Sequence, residues 1–321
     1  MRGIGRIIIL AGLLLAVAGH FMGQSPLNQP PLSQSTLGQS QQAVGLKAES
    51  GALRLAAPPT DDIWSCPMDP DVRGHVPGDC PRCGMKLVLG IPEAMEYKMD
   101  LKVTPAAPKP LQPTKFDFIV RDPWKDRPVN KFSLVHERLF HMFVVSQDMK
   151  FFLHDHPTFR ENGLFDYTTT LPTAGMYRIL GDFYPDGATP QLIAKTVLVP
   201  GTPPAPLNLG RDYTPKKDAN LEVELVTDPA VPIAHSKTML FFTVKPAEGL
   251  EKLLGAWGHM LVASEDLVDM IHSHPYLADG GPQIQFNVIF PRATKYRIWV
   301  QFQREGVVNT VHFDVPVEDL R

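Results

Sequence analysis

The residues best suited to chemistry lie in one short stretch, residues 66–85, which holds every cysteine of the 321-residue chain. Two residues separate Cys80 from Cys83, and thiolates at this spacing can bind one metal ion together. The other candidate ligands of the stretch are Cys66, Met68, Met85 and His75. Thiolates and thioethers favour soft cations, so the predicted ion is copper as Cu(I), with zinc as the second candidate.

The same stretch is too short to build a hydrophobic core, so a bound ion would supply much of its folding free energy. A disulfide between two of the three cysteines is the alternative, because an oxidising compartment permits it. That pairing would leave one thiol over.

Residues 62–92 resemble the small heavy-metal-binding domain, which has the pattern Tyr-x-Cys-Pro-Met-His-Pro, then Pro-Gly-x-Cys-Pro-x-Cys-Gly-Met-x-Leu. The resemblance implies a treble-clef-like module of the kind found in copper-transporting P-type ATPases and in periplasmic adaptors of heavy-metal efflux pumps. Two positions depart from the pattern: Trp64 replaces the tyrosine and Asp69 replaces the histidine. Asp69 therefore offers a hard oxygen where the family has a borderline nitrogen.

The N-terminal residues predict an exported protein. Arg2 and Arg6 precede an apolar run at residues 7–19, which is typical of a secretory signal peptide and short for a spanning helix. We expect residues 1–23 to be a signal peptide or an uncleaved inner-membrane anchor, with residues 4–19 as its membrane segment. Residues 24–61 predict a disordered tether, and the location is then periplasmic or secreted.

The remainder of the chain is duplicated. His141-Met142 is followed by His154 and His156, and His259-Met260 is followed at the same spacing by His272 and His274. Short Val-, Ile- and Phe-rich runs separated by Pro, Gly and Asp favour antiparallel β-sandwiches. The predicted fold is therefore mainly β: a small metal-binding module, sandwich repeats at residues 94–200 and 218–321, and a linker at 201–217. At this level each repeat resembles periplasmic immunoglobulin-like or cupredoxin-like domains.

A two-residue turn at Gln147-Asp148 would pair Ser146 with Met149 and place His141 opposite His154. The three histidines of each repeat would then project from one face of a hairpin, as Cu(II), Zn(II) or Ni(II) sites require. Met142 and Met260 point to the other face and are not expected ligands. A purely structural role, with the imidazoles bonded to backbone carbonyls, is the alternative. The histidines without a counterpart, expected to be ordinary polar residues, are His136, His235 and His312.

The net charge of −3 and the absence of a basic aromatic patch give no sign of nucleic-acid binding. No motif of a hydrolase, nucleotide-binding protein or helical metalloprotease occurs. We therefore expect a protein that is not an enzyme. A three-histidine site with an open position is the one feature that would allow metal-dependent activity instead. The leading hypothesis is an extracytoplasmic copper-binding protein that sequesters the ion or passes it to an efflux or resistance partner. The alternative is a non-catalytic scaffold with a structural zinc module.

Overall fold

The computed structural model describes residues 62–69, 72–90 and 95–320. The predicted signal or anchor segment (1–23) and the predicted tether (24–61) lie outside the described residues. Among the residues that are described, no helix has the length and hydrophobicity that a membrane crossing requires.

The small module consists of three two-residue antiparallel strands in the order β2-β1-β3. Their bounds are Trp64–Ser65 (β1), Arg73–Gly74 (β2) and Val88–Leu89 (β3). Cys66 directly follows β1, and Cys80 and Cys83 lie in the turn that precedes β3. Strands this short hold little apolar surface, so the cysteine-bearing loops form the centre of the module.

The first repeat contains two four-stranded antiparallel sheets, β4-β5-β9-β8 and β11-β10-β6-β7. A single turn of 3-10 helix, Glu161–Gly163, precedes β9. The strands are β4 (Lys98–Thr104), β5 (Pro113–Arg121), β6 (Phe140–Ser146), β7 (Phe152–Asp155), β8 (Thr158–Phe159), β9 (Leu164–Thr170), β10 (Gly175–Phe183) and β11 (Gln191–Val199).

The second repeat has the same plan, with sheets β12-β13-β14-β18 and β15-β19-β16-β17, and β20 pairs with β19. The strands are β12 (Lys216–Lys217), β13 (Glu222–Asp228), β14 (Lys237–Lys245), β15 (Leu250–Glu251), β16 (His259–Ser264), β17 (Met270–Ser273), β18 (Gln283–Ile289), β19 (Lys295–Arg304) and β20 (Val307–Pro316). Strands β6, β7 and β10 correspond to β16, β17 and β19. The predicted mainly-β fold with a duplicated sandwich is confirmed.

Burial patterns separate the two sheets of each repeat. In β5 and β14 buried and partly exposed residues alternate, because one face covers the core and the other meets solvent. In β6 and β16 every residue is buried. These two strands must therefore be covered on both faces.

The second covered face is the contact between the repeats. Met142 belongs to the core of the first repeat and Met260 to that of the second. The neighbouring Phe143 and Leu261 belong instead to a separate apolar cluster that both repeats share. Within this cluster Phe152 stacks on Trp299, with ring centroids 5.1 Å apart. The histidine-bearing faces of the two repeats are thus turned toward each other.

The hairpin register differs from the predicted one. Met149 N–H donates to Ser146 O (2.8 Å) within the loop, but Ser146 N–H donates to Phe151 O (3.1 Å), so Phe151 is its partner in the strand pairing. Phe143, not His141, therefore lies opposite His154. Likewise Leu261 lies opposite His272. The predicted two-residue turn is wrong, because the loop is four residues long. A shift of two residues keeps side-chain parity, so the three histidines still share a face.

Candidate metal centres

Three thiol sulfurs and one carboxylate oxygen converge in the small module. The Sγ atoms of Cys66 and Cys83 are 3.4 Å apart, and Asp69 Oδ2 lies 3.9 Å from Cys66 Sγ and 3.8 Å from Cys80 Sγ. Ligands about 2.3 Å from one ion at tetrahedral angles are about 3.8 Å from each other. All four ligand atoms lie within 4.8 Å of one another, which is close enough for them to bind one ion, and we call this group the sulfur centre.

The backbone explains why the sulfurs meet. Cys80 N–H donates to Met85 O (2.7 Å), and Gly84 N–H donates to Cys80 O (2.8 Å), which closes a tight turn around Cys83. Gly84 has φ +76°, a conformation that a side chain disfavours. The N–H of Asp69 donates to Cys66 Sγ (3.3 Å), as backbone amides do toward thiolates that bind metal. The cysteines are free thiols, so the structure does not contain the alternative disulfide.

The other predicted ligands of the module take different places. Met85 is buried and Met68 half-buried, and both pack in a small cluster with Cys66 and Cys80. His75 is exposed, and the structure leaves it outside the group of converging ligand atoms. Asp69 was not among the predicted ligands. Its position, where the heavy-metal-binding pattern has histidine, was the signal that could have identified it.

The sulfur centre is partly withdrawn from solvent, and this affects its ionisation. Burial raises the pKa of the Cys66 and Cys83 thiols. In the metal-free protein these groups are therefore protonated, and a binding cation must displace protons. Arg82 donates to Asp69 Oδ1 (3.0 Å) and so fixes the carboxylate beside the sulfurs.

Each repeat brings its three predicted histidines together. In the first triad, His141 Nδ1 lies 3.2 Å from His154 Nε2 and 3.1 Å from His156 Nε2. In the second triad, His259 Nδ1 lies 3.1 Å from His274 Nε2, and the ligand atom of His272 is within 4.8 Å of both. Nitrogens about 2.0–2.1 Å from one tetrahedral ion are about 3.3 Å apart. Two pairs of the first triad and the His259–His274 pair of the second have this spacing, and the ligand atoms of each triad all lie within 4.8 Å of one another.

Hydrogen bonds from the triad histidines to groups outside the triads show which ring nitrogens carry a proton and which carry a lone pair. His141 Nε2 donates to Val135 O (3.0 Å), and His259 Nε2 donates to Leu253 O (2.9 Å). The hydrogen bonds from imidazole to backbone carbonyl that a purely structural role requires are therefore present in these two rings. Each of these bonds uses only one of the two ring nitrogens. Because a carbonyl can only accept, Nδ1 of both rings presents a lone pair to its triad.

The remaining partners cross between the repeats. His154 Nδ1 donates to Gln301 Oε1 (2.6 Å), and Gln301 Nε2 donates to Thr310 Oγ1 (2.9 Å), which fixes the orientation of the amide. In the second triad, His272 Nδ1 donates to Asp182 Oδ2, and His272 Nε2 is buried without a protein partner. Lone pairs that face one another at about 3 Å repel unless a cation lies between them.

Asp182 and Gln301 occupy equivalent positions. Asp182 pairs with His141 across β10 and β6, and Gln301 pairs with His259 across β19 and β16. The first triad is therefore backed by a neutral amide and the second by a carboxylic acid, whose pKa burial raises to about 7. A group of this kind that accepts from a histidine orients the ring and increases its basicity.

All six imidazoles are neutral at pH 7. Burial is the main cause in every case, and it lowers the pKa of His141 to about 4 and that of His156 to about 3. It also lowers the pKa of His154, His259, His272 and His274. Neutral imidazole is the form that binds metal.

The two triads are neighbours at the contact between the repeats. Ring centroids of His141 and His259 are 5.8 Å apart, and those of His154 and His259 are 5.4 Å apart. His136 also belongs to this group, since its ring centroid lies 3.7 Å from the ring centroid of His274. Sequence reasoning missed His136, because its counterpart in the second repeat is Leu254. His235 and His312 belong to neither triad.

A sulfur-rich module joined to two β-sandwich repeats, each with a histidine triad, defines a modular metal-binding architecture. Residues 63–88 match the family described as Heavy metal binding domain, which confirms the resemblance at the level of the family. The chain belongs to the family described as Domain of unknown function (DUF8832), whose profile matches residues 93–199 and 216–319, more than half of its 321 residues.

Solved structures with a similar course of strands include two bacterial adhesins. The Escherichia coli adhesin FdeC is 14% identical with a TM-score of 0.25, and the match covers 72% of this chain and 68% of the adhesin. InvE of Yersinia pseudotuberculosis is 13% identical with a TM-score of 0.23, covering 68% and 58%. Salmonella alpha-2-macroglobulin reacted with methylamine is 11% identical with a TM-score of 0.25, covering 70% and 15%. These scores support no functional argument, and no curated protein matches the chain.

Proposed function

We propose that this protein binds copper as Cu(I) at the sulfur centre, outside the cytoplasm, and either sequesters the ion or passes it to an efflux or resistance partner. One observation carries the proposal: the ligand atoms of Cys66, Cys80, Cys83 and Asp69 all lie within 4.8 Å of one another. A heavy-metal-binding family match over the same residues supports it. Three sulfurs favour a soft ion over a hard one.

The histidine triads are proposed as further binding sites for a borderline cation. Their support is the pair of lone-pair nitrogens that face each other in each triad, and the orphaned His272 Nε2. The proposed work is binding and ligand exchange rather than turnover. The N-terminal segment is proposed to export the chain or anchor it to the inner membrane.

A competition titration tests the proposal. The protein is reduced, and Cu(I) and Zn(II) are added separately against chelators of known affinity. We expect Cu(I) to bind more tightly than Zn(II) and to exchange with the chelator, and we expect Cys80→Ser to abolish this behaviour. Equal loss in a His75→Ala control would contradict the assignment, since His75 is exposed and outside the sulfur centre.

A structural zinc module is the second candidate, favoured by a specific contact. Cys66, Cys80 and Met85 form one buried cluster with Val135 and Tyr184 of the first repeat. An inert ion there would fasten the module to the sandwich. Tight Zn(II) that does not exchange, together with unchanged metal content in His154→Ala and His156→Ala, would favour this candidate over metal handling.

A further inference from the structure

A cavity of about 860 Å³ lies between the module and the two repeats. Met68, Cys80 and Cys83 line it on the side of the module. His272, His274 and Asp182 line it on the side of the repeats. Ligands of the sulfur centre and of the second triad therefore face the same space.

The first triad does not share this access. None of His141, His154 and His156 lines the cavity, whereas His136, whose ring packs against that of His274, does. The two triads are equivalent by sequence, but only the second has members that line the cavity, His272 and His274, with His259 buried behind them. The repeat duplication alone would not distinguish them.

The side chain that supports each triad also favours the second triad as a cation site. Asp182 backs His272, while the equivalent Gln301 backs His154. A carboxyl group beside a metal site can carry a negative charge that compensates a bound cation, whereas an amide stays neutral. The triad that faces the cavity is therefore also the one better suited to hold a cation.

Two side chains, Tyr184 and Arg82, join the module to the repeats beside the cavity. Tyr184 lies in the buried cluster of Cys66 and Cys80 and also lines the cavity, two residues after Asp182. Arg82 donates to Asp69 of the sulfur centre, and its guanidinium lies 5.8 Å from the ring centroid of Tyr276 in the second repeat. The module is thus held against the repeat with its thiols facing inward.

We infer that the cavity is a transfer chamber in which a metal ion moves from the sulfur centre to the second histidine triad of the same chain. The inference rests on the proposed function of the sulfur centre and adds an internal acceptor. In the step, three metal–sulfur bonds and the metal–oxygen bond to Asp69 Oδ2 break, and bonds to His259 Nδ1, His272 Nε2 and His274 Nε2 form. The ion keeps its oxidation state, and the vacated thiolates regain protons from water.

Cadmium NMR tests this inference, because Cd(II) binds both sulfur and nitrogen and its chemical shift distinguishes them. Substoichiometric Cd(II) is added to the reduced full chain, and exchange spectroscopy is recorded at two protein concentrations. We expect a sulfur-type and a nitrogen-type resonance joined by a cross-peak whose exchange rate does not change on dilution. His272→Ala should remove the cross-peak and keep the sulfur-type resonance.

His154→Ala is the matched control, since it is the equivalent position in the first repeat and does not line the cavity; its cross-peak should persist. Asp182→Asn is a milder second variant that retains a hydrogen-bond acceptor, and it should shift Cd(II) toward the sulfur-type resonance. Both resonances without a cross-peak, or with a rate proportional to protein concentration, would overturn the transfer chamber and leave the proposed function intact. Absence of the sulfur-type resonance would overturn both.

Discussion

Replacing His136 with leucine should make the metal-free protein more tolerant of acid. His136 and Leu254 occupy equivalent turns, with φ of 45° and 50° respectively. Leucine already adopts this backbone conformation in the second repeat, so His136→Leu should not strain the turn. The substitution removes one titratable group from the histidine cluster and leaves the predicted ligands in place.

The magnitude follows from proton linkage. Burial and, to a smaller extent, the charge of His141 lower the pKa of His136 to about 4 in the folded state, against about 6.5 in the unfolded chain. At pH 7 His136 is mostly unprotonated in both states. At pH 5 only the unfolded state binds the proton, and this costs the folded state about 2 kcal/mol. The stability is present above the unfolded pKa and is lost as pH falls toward 4.

The assay is urea unfolding of wild type and His136→Leu with a chelator present, at pH 7 and pH 5. The stability difference, variant minus wild type, should increase by about 2 kcal/mol between the two pH values. Comparing differences cancels titrating groups that do not interact with His136, including Asp182, whose raised pKa acts in the opposite direction. A difference that does not change with pH would show that His136 is solvated, and would refute the assignment of His136 to the buried cluster.

Three further predictions concern ligands, their supports and the contact between repeats. Cys80→Ser should weaken metal binding at the sulfur centre by more than about 100-fold, beyond the 10–100-fold typical of losing an outer partner, as measured by chelator competition. Gln301→Ala leaves His154 Nδ1 without its acceptor and should weaken binding at the first triad by about 10–100-fold, as measured by calorimetry on a variant that lacks the three cysteines. Leu261→Ala truncates a buried side chain of the apolar cluster that both repeats share, and it should lower the free energy of unfolding by about 2–5 kcal/mol. Leu198→Ala, at an exposed position, is the control and should change the free energy of unfolding little.

The fold was predictable because its signals are local. Alternating apolar residues and frequent Pro and Gly predict short antiparallel strands, and the repeated histidine spacing predicts two equivalent hairpins. The exact turn length was not predictable, since a two-residue and a four-residue loop place the same residues on the same face. The prediction that His141, His154 and His156 converge still holds, because a register shift of two residues leaves each side chain on the same face of the sheet.

The composite nature of the histidine site was not predictable from either repeat alone. Asp182 and Gln301 support histidines of the opposite repeat, and His136 meets His274 only through packing of the repeats. One signal did exist. β6 lacks the polar alternation of a strand with a solvent face, and this indicates a second covered surface.

The sulfur centre was predictable in its thiols but not in its fourth ligand. The Cys-x-x-Cys spacing and the family pattern identify Cys80 and Cys83, whereas Asp69 departs from the pattern in residue type while retaining its position. A carboxylate can replace an imidazole as a ligand, so the position predicts coordination even where the residue type changes.

X-ray absorption at the copper edge tests the central claim most directly. The full-length reduced protein is loaded anaerobically with one equivalent of Cu(I), and the ligand shell is measured. The convergence of Cys66, Cys80 and Cys83 predicts a shell dominated by sulfur at about 2.3 Å, lost when the three cysteines are replaced by serine. A shell containing only nitrogen and oxygen at about 2.0 Å, unchanged by those substitutions, would contradict the sulfur centre.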